Sequence, residues 1–243
     1  MKRKTVPVGI PLFLLLFLLL LVLALPGCGD KKAVLSDTYT GGQEAVSPGT
    51  LHIEGDWSHA AFYLVAGAIG RGEIRLTGLD PQSAQGDRAV VEILRDMGAD
   101  IRWEGSALVS RASRLHGLRV DCAQIPDLVP ILAVAMAAAE GDSRITGAAR
   151  LRIKESDRLS AMAAALTAAG ADAAELPDGL AIRGGKTLHA AKIEGCNDHR
   201  IVMAMTIASA LSDGEWTITD AEATAKSAPA FWQEFERLGG LAR

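Results

Sequence analysis

Lys154-Glu155-Ser156-Asp157-Arg158 is a run of five polar residues inside a stretch otherwise rich in alanine and leucine. Leu159, Met162, Ala163 and Leu166 follow at i, i+3, i+4 and i+7, a spacing that predicts a helix with one apolar face from about Ser156 to Gly170. Two cations and a carboxylate then sit at a helix N-terminus, where unpaired N–H groups and the positive end of the dipole already favour an anion. A solvated first turn would explain one such run. Similar groups recur, however. Gly195-Cys196-Asn197-Asp198-His199-Arg200 puts an imidazole and a guanidinium at a second helix mouth. Ile125-Pro126-Asp127-Leu128-Val129-Pro130 puts a carboxylate at a third, with a proline in the first turn, where its missing N–H costs nothing. Lys154, Arg158, Arg200 and the later Lys226 are thus four cations with reason to converge beside Glu155 and Asp127. Such a group suits a small polyanion with acid/base chemistry alongside it.

What must position these residues is a long internal repeat. Asp56, Asp127 and Asp198 are spaced 71 residues apart, and each is followed by an apolar, alanine-rich stretch of helical length. Each aspartate reads first as an N-cap, and for Asp56 nothing more is indicated. Downstream lie three matching strands, within Gly72–Gly78, Gly141–Gly147 and Gly214–Asp220. A second helix follows each, opened by Gly86-Asp87-Arg88 in one copy and Ser156-Asp157-Arg158 in the next. Gly98, Gly170 and Gly239 stand where glycine C-caps belong. Short strands come next, for instance around the Pro177-Asp178-Gly179 turn. The unit is strand, helix, strand, helix, strand pair. It is too long for a solenoid repeat, so a compact lobe of related units is expected.

The alternation of strands and helices reads as an α/β fold, and composition fits a globular protein able to bury a real core: 243 residues, 49% hydrophobic, 22% charged, formal net charge −4. With 5% aromatic residues and no basic run interleaved with aromatics, nucleic acid is not an expected partner. Cys28, Cys122 and Cys196 are widely separated, with no zinc-type spacing, so neither a disulfide framework nor a structural metal is indicated. The N-terminus is of another kind. Lys2, Arg3 and Lys4 precede an uncharged stretch from Thr5 to Gly27, which reads as a secretion signal or membrane anchor. Leu25-Pro26-Gly27-Cys28 resembles a lipoprotein processing site, with proline a departure from that pattern. Residues 1–32 are therefore expected to be a leader outside the fold, and the only membrane contact.

Lys154-Glu155-Ser156-Asp157-Arg158-Leu159, Asn197-Asp198-His199-Arg200 and Ala225-Lys226-Ser227-Ala228-Pro229, in this order and spacing, closely resemble the C-terminal half of the EPSP synthases. Gly41-Gly42-Gln43, Ser47-Pro48-Gly49, Glu54-Gly55-Asp56 and Gln85-Gly86-Asp87 extend the likeness over about residues 37–243. The resemblance implies the enolpyruvyl transferase fold, two lobes each of three βαβαββ units. It implies transfer of the enolpyruvyl group of phosphoenolpyruvate to shikimate 3-phosphate in the cytoplasm, without metal or organic cofactor. It further implies that Arg158, Arg200 and Lys226 bind phosphoenolpyruvate. Asp127, Glu155 and Lys226 would carry the proton transfers. Ser47, Asp127, Lys154 and Arg150 would touch the shikimate phosphate substrate, with His199 and Asp198 in support. Arg150 stands where the family often has asparagine, which puts its contact in doubt.

The family's first half, with further groups for both substrates, has no counterpart here, nor does the small piece that its N-terminus adds to the second lobe. The expected organisation is a first-lobe remnant over 33–78 and a second lobe over 79–243. The chain would then be a truncated or split form, with a separately encoded N-terminal half as a candidate partner. Two alternatives stay open: a catalytically incomplete, membrane-tethered binding module, and the sister transferase acting on a UDP-sugar. The sister enzymes lack the Lys-Glu-Ser-Asp-Arg and Asn-Asp-His-Arg pair in this form.

Overall fold

The computed structural model describes residues 49–50 and 53–243. Ser47, Cys28 and the hydrophobic leader lie outside the described residues. Among the described residues no helix is long and apolar enough to cross a membrane.

The repeat is built as units of one pattern. In the first, α1 (Trp57–Ile69) leads to β1 (Glu73–Leu76), a 3-10 turn at Gly86–Ala89 running into α2 (Val90–Asp96), and the hairpin β2 (Asp100–Glu104) and β3 (Ala107–Arg111). The second runs β4 (Arg119–Asp121), α3 (Val129–Ala138), β5 (Asp142–Thr146), α4 (Arg158–Ala168), β6 (Asp172–Leu176) and β7 (Gly179–Arg183). The third has β8 (Lys192–Ile193), α5 (His199–Ala208), β9 (Thr217–Ile218), a 3-10 segment at Ala221–Lys226 and α6 (Phe231–Arg237).

Each unit contributes one sheet. The strand order is β1-β3-β2 in the first, β4-β5-β7-β6 in the second and β8-β9 in the third. β5 pairs in parallel with β4 and antiparallel with β7, with Ile145 opposite both Val120 and Leu180. The β6–β7 hairpin closes at Leu176 opposite Gly179, across the expected Pro177-Asp178 turn. Gly98, Gly170 and Gly239 all have positive φ, as residues just past a helix end should.

The core explains why α3 is apolar all round. α3 is buried from Val129 to Ala137, so a one-sided pattern would have left polar groups without water. It touches both α1 and α5, which touch each other, and the three sheets cover the rest. Gly67 of α1 lies so close to β3 that an added Cβ would fall 2.8 Å from Ser110, whose hydroxyl donates to the Leu64 carbonyl.

Residues 52–243 form one compact unit, with no division after Gly78. β1 is hydrogen-bonded to β3 from Glu73–Arg111 to Leu76–Leu108, and α1 is one of the three helices that meet in the core. Of the other unit, Met1–Leu51, only Gly49 and Thr50 are described.

Candidate active site

α1, α3 and α5 begin at equivalent places in their units, but their aspartates do different work. Asp56 and Asp198 are N-caps, accepting from the N–H of Ser58 at 2.8 Å and of Arg200 at 3.0 Å. Asp127 is not a cap. It lies inside the 3-10 turn Pro126–Leu128, and its carboxylate is left for side chains of its own unit, Arg158 and Lys154, and of the next, Arg200. The helix after Lys154-Glu155-Ser156 starts at Arg158, slightly later than its apolar spacing suggests, because Asp157 caps it by accepting from the Ser160 N–H at 3.1 Å.

The mouth of α5 carries backbone strain. Cys196 and Asn197 have φ of 53° and 50°, and the Asp198 N–H donates to the Gly195 carbonyl at 3.0 Å, closing a tight turn with two left-handed residues. Asp220, also left-handed at φ 57°, accepts from the Asn197 N–H at 2.9 Å. The turn aims the Asn197 carbonyl at Lys226, whose ammonium donates to it at 2.5 Å. Strain concentrated at one helix mouth is a mark of a site whose geometry is held by its surroundings.

The charged groups then form one network. Arg158, 2% exposed, donates Nε and Nη2 to the two oxygens of Asp198 at 2.7 and 3.2 Å, and Nη1 to Asp127 at 3.1 Å. Arg200 reaches Asp127 from the other side, with Nη2 at 3.3 Å from the carboxylate and Nη1 at 3.2 Å from the backbone carbonyl. Lys154 Nζ stands 3.8 Å from the same carboxylate. Glu155 lies 3.1 Å from His199 Nδ1 and 3.6 Å from both Lys226 and Arg158. Asp127 and Glu155 are thus two partly exposed carboxylates, each set among cations. An anion arriving here could take over cationic donors that these carboxylates now hold.

Burial pushes the Asp198 carboxyl up, but the hydrogen bond and charge of Arg158, the Arg200 N–H and the Ser156 hydroxyl outweigh it and hold the group below its ordinary value. Asp87 goes the other way. Burial raises it, with the Ser58 hydroxyl and the Arg200 charge opposing and Asp127 and Asp56 adding to the rise. Glu155, Asp198 and His199 place ligand-type atoms within 4.8 Å of one another. Both oxygens of Asp198 already face a guanidinium, so its charge is met by an ion pair rather than left for a metal.

Asp127, Lys154, Glu155, Arg158, Asp198, His199, Arg200 and Lys226 are therefore brought together. Arg150 is not. It sits exposed in the 3-10 segment Ala149–Ile153, whose Leu151 turns into the core instead. The chain matches the family model of EPSP synthase (3-phosphoshikimate 1-carboxyvinyltransferase) over residues 31–235. The chain belongs to the EPSP synthase family. A 3-phosphoshikimate 1-carboxyvinyltransferase of Clostridium novyi is 44% identical over 189 residues, 78% of this chain and 43% of that protein. One from Halobacterium salinarum is 42% identical over 227 residues, 90% of this chain and 52% of that protein. The solved EPSP synthase of Acinetobacter baumannii superposes with a TM-score of 0.66 at 34% identity, over 76% of this chain and 46% of that one. The chain thus spans about half the length of the relatives it matches. The enolpyruvyl transferase NikO of Streptomyces tendae, at 19% identity and TM-score 0.62, shares the fold.

Three contributors within this EPSP synthase-family chain went unassigned in the sequence. Ser156 has no signal of its own within its motif, yet its hydroxyl donates to Asp198 at 3.0 Å. Asp87 stands close enough to Arg200 and Asp127 for their charges to act on it. The Asn197 carbonyl acts through backbone, which residue type does not reveal.

Proposed function

We propose that this chain supplies one face of a site that transfers the enolpyruvyl group of phosphoenolpyruvate to the 5-hydroxyl of shikimate 3-phosphate, releasing phosphate. What carries the reading is the convergence of Lys154, Arg158, Arg200 and Lys226 on Asp127 and Glu155, in a chain of this family. Arg200 offers a planar fork to the carboxylate and phosphate of phosphoenolpyruvate. Arg158 adds the N–H groups that Asp198 and Asp127 leave free, since a guanidinium has five and these partners use three. Lys154 and Asp127 face the shikimate substrate, a role that the family resemblance also gives to Ser47.

In the first step the hydroxyl oxygen bonds to the enol carbon and its proton leaves toward Asp127, while Glu155 or Lys226 protonates the methylene. In the second, phosphate departs and the new methyl returns a proton, restoring the double bond. His199 holds Glu155 and Asp198 holds Arg158 for these tasks. The reading needs no metal or organic cofactor. It also needs the residues that the relatives carry beyond the matched part, in this chain or in a separate N-terminal half, because Glu155, Lys154 and Lys226 are half open to water. It places the chemistry in the cytoplasm with its phosphorylated substrates, so a leader that exported the chain would be incompatible with it.

The test mixes the full chain with the complementary half of the Clostridium novyi relative and follows phosphate release. Release that requires both substrates and both halves, and that falls by at least about tenfold in Arg200→Ala, is expected. Release unchanged by Arg200→Ala would refute the assignment, and binding of both substrates with no release in any combination would leave a binding module in its place.

A further inference from the structure

Glu234, on the last helix, lies outside every motif discussed above, yet its carboxylate reaches into α1. It accepts a hydrogen bond from the hydroxyl of Tyr63, a buried residue, and stands 3.3 Å from His59 Nε2. The His59 and Tyr63 rings meet edge to face at 5.2 Å, so the three side chains form one latch between α6 and α1. Burial, then the Glu234 hydrogen bond and charge, push the Tyr63 hydroxyl far up, so it acts only as a donor.

The latch closes a short arm whose other features concern Lys226. Trp232 Nε1 donates to the Ala221 carbonyl at 3.1 Å, tying α6 to the start of the 3-10 segment Ala221–Lys226. The Ala228 N–H donates to the Thr224 carbonyl at 2.8 Å, and Phe231 is fully buried. The Lys226 side chain itself is 42% exposed, and its contacts are the Asn197 carbonyl and Glu155. An exposed lysine loses much rotamer freedom when fixed at one point, so its backbone must be held by something else. The latch is well placed to hold it. His59 and Ser227, the residue after Lys226, line one small cavity of about 20 Å³ together with His199 and Arg200.

We propose that Glu234, through Tyr63 and His59, is a positioning residue that fixes the segment carrying Lys226 against the mouth of α5. The lysine ammonium is thereby kept over Glu155. The effect of the latch on substrate rests on the proposed function; its effect on Lys226 does not.

The experiment measures the rate at which an amine-acetylating reagent modifies each lysine of the folded full chain, read by peptide mass spectrometry. In Glu234→Ala the Lys226 rate should rise by about fivefold or more, as loss of a charge-assisted hydrogen bond allows, while Lys186 and Lys192 stay within twofold of wild type. Glu234→Gln, which keeps an acceptor for Tyr63, should restore most of the protection. Tyr63→Phe should raise the Lys226 rate as well, and it serves if Glu234→Ala does not fold. An unchanged Lys226 rate, or an equal rise at Lys186 and Lys192, would overturn the proposal, the second by showing general loosening. Phosphoenolpyruvate affinity measured on the same variants should fall about tenfold in Glu234→Ala and recover in Glu234→Gln. A wild-type chain that binds no phosphoenolpyruvate but shows the labelling pattern would count against the proposed function and leave the latch standing.

Discussion

Replacing Arg158 by alanine would leave Asp198, none of whose surface is exposed, without the guanidinium that holds both its oxygens. Breaking a buried pair from one side costs about 3–5 kcal/mol, because the surviving charge stays desolvated. Arg200 differs. Its side chain is 13% exposed, and its partner Asp127 keeps Arg158 and a third of its own exposure when Arg200 is lost. Urea unfolding should therefore show Arg158→Ala losing about 3–5 kcal/mol and Arg200→Ala no more than about 1–2 kcal/mol. Equal losses would mean that Asp198 is not the charge that matters. The same pair sets an acid response. The Asp198 carboxyl lies below its ordinary value in the fold, so the unfolded chain binds its proton first. Its contribution is complete above the unfolded value, about 3.9, and is lost as pH falls through the lower folded value. This division was only half legible in sequence. Residue type and spacing place Arg158 and Arg200 together as candidate cations for an anion, but nothing local reveals that Arg158 is the more buried of the two and gives two of its N–H groups to Asp198 from the next unit.

The α5 mouth shows what an element can and cannot announce. Asp198 as N-cap and an apolar helix after it were readable from residue types, as were the 71-residue spacing and the glycine ends. Two consecutive left-handed residues at Cys196 and Asn197 were not, because cysteine gives no hint of positive φ; only asparagine favours it. The sheet that β1 joins is hidden for a related reason: it depends on the partner strand, here β3, more than thirty residues later. Arg150 likewise looked usable by type, and the burial of Leu151 beside it turns it outward. The strain at Cys196 gives a measurable expectation. Cys196→Gly removes the Cβ conflict and should raise stability by about 0.5–1 kcal/mol, after allowing for the greater freedom of glycine in the unfolded chain. Cys196→Val should lower it by about 1–2 kcal/mol. Both are read from urea midpoints, and a stabilising valine would show that the turn relaxes rather than stores strain.

At the scale of the described residues, β9 leaves an open seam. β1 and β5 are each flanked by a hairpin strand, β3 and β7, running antiparallel. β9, their counterpart, pairs only with β8 among the described residues. Its Thr217 N–H and the following Thr219 N–H donate toward β8, to Ala191 and Ile193. The alternating geometry of a strand therefore turns the Ile218 N–H to the free edge. Beside it lies a groove of about 1100 Å³ lined by Ile74, Trp216, Ile218, Trp232 and Phe235. An unpaired edge beside apolar surface is a place where natural sheets are covered. This seam lies where α1 and α5 end, at Ile69 and Ala208, whereas the charged network gathers at their first turns. A complementary half that continues the repeat would add a strand antiparallel to β9, and its effect there should be separable from its effect on the site. Hydrogen exchange should report a slower Ile218 amide on adding the complementary half of a relative, by about tenfold or more. Ile218→Lys should abolish that gain by placing a charge at the seam, while the phosphoenolpyruvate binding proposed for the Arg200 site, if salt-sensitive as its charges imply, should change by no more than about twofold. If instead the half restores phosphate release with Ile218 exchange unchanged, the seam is covered by something other than a strand pair.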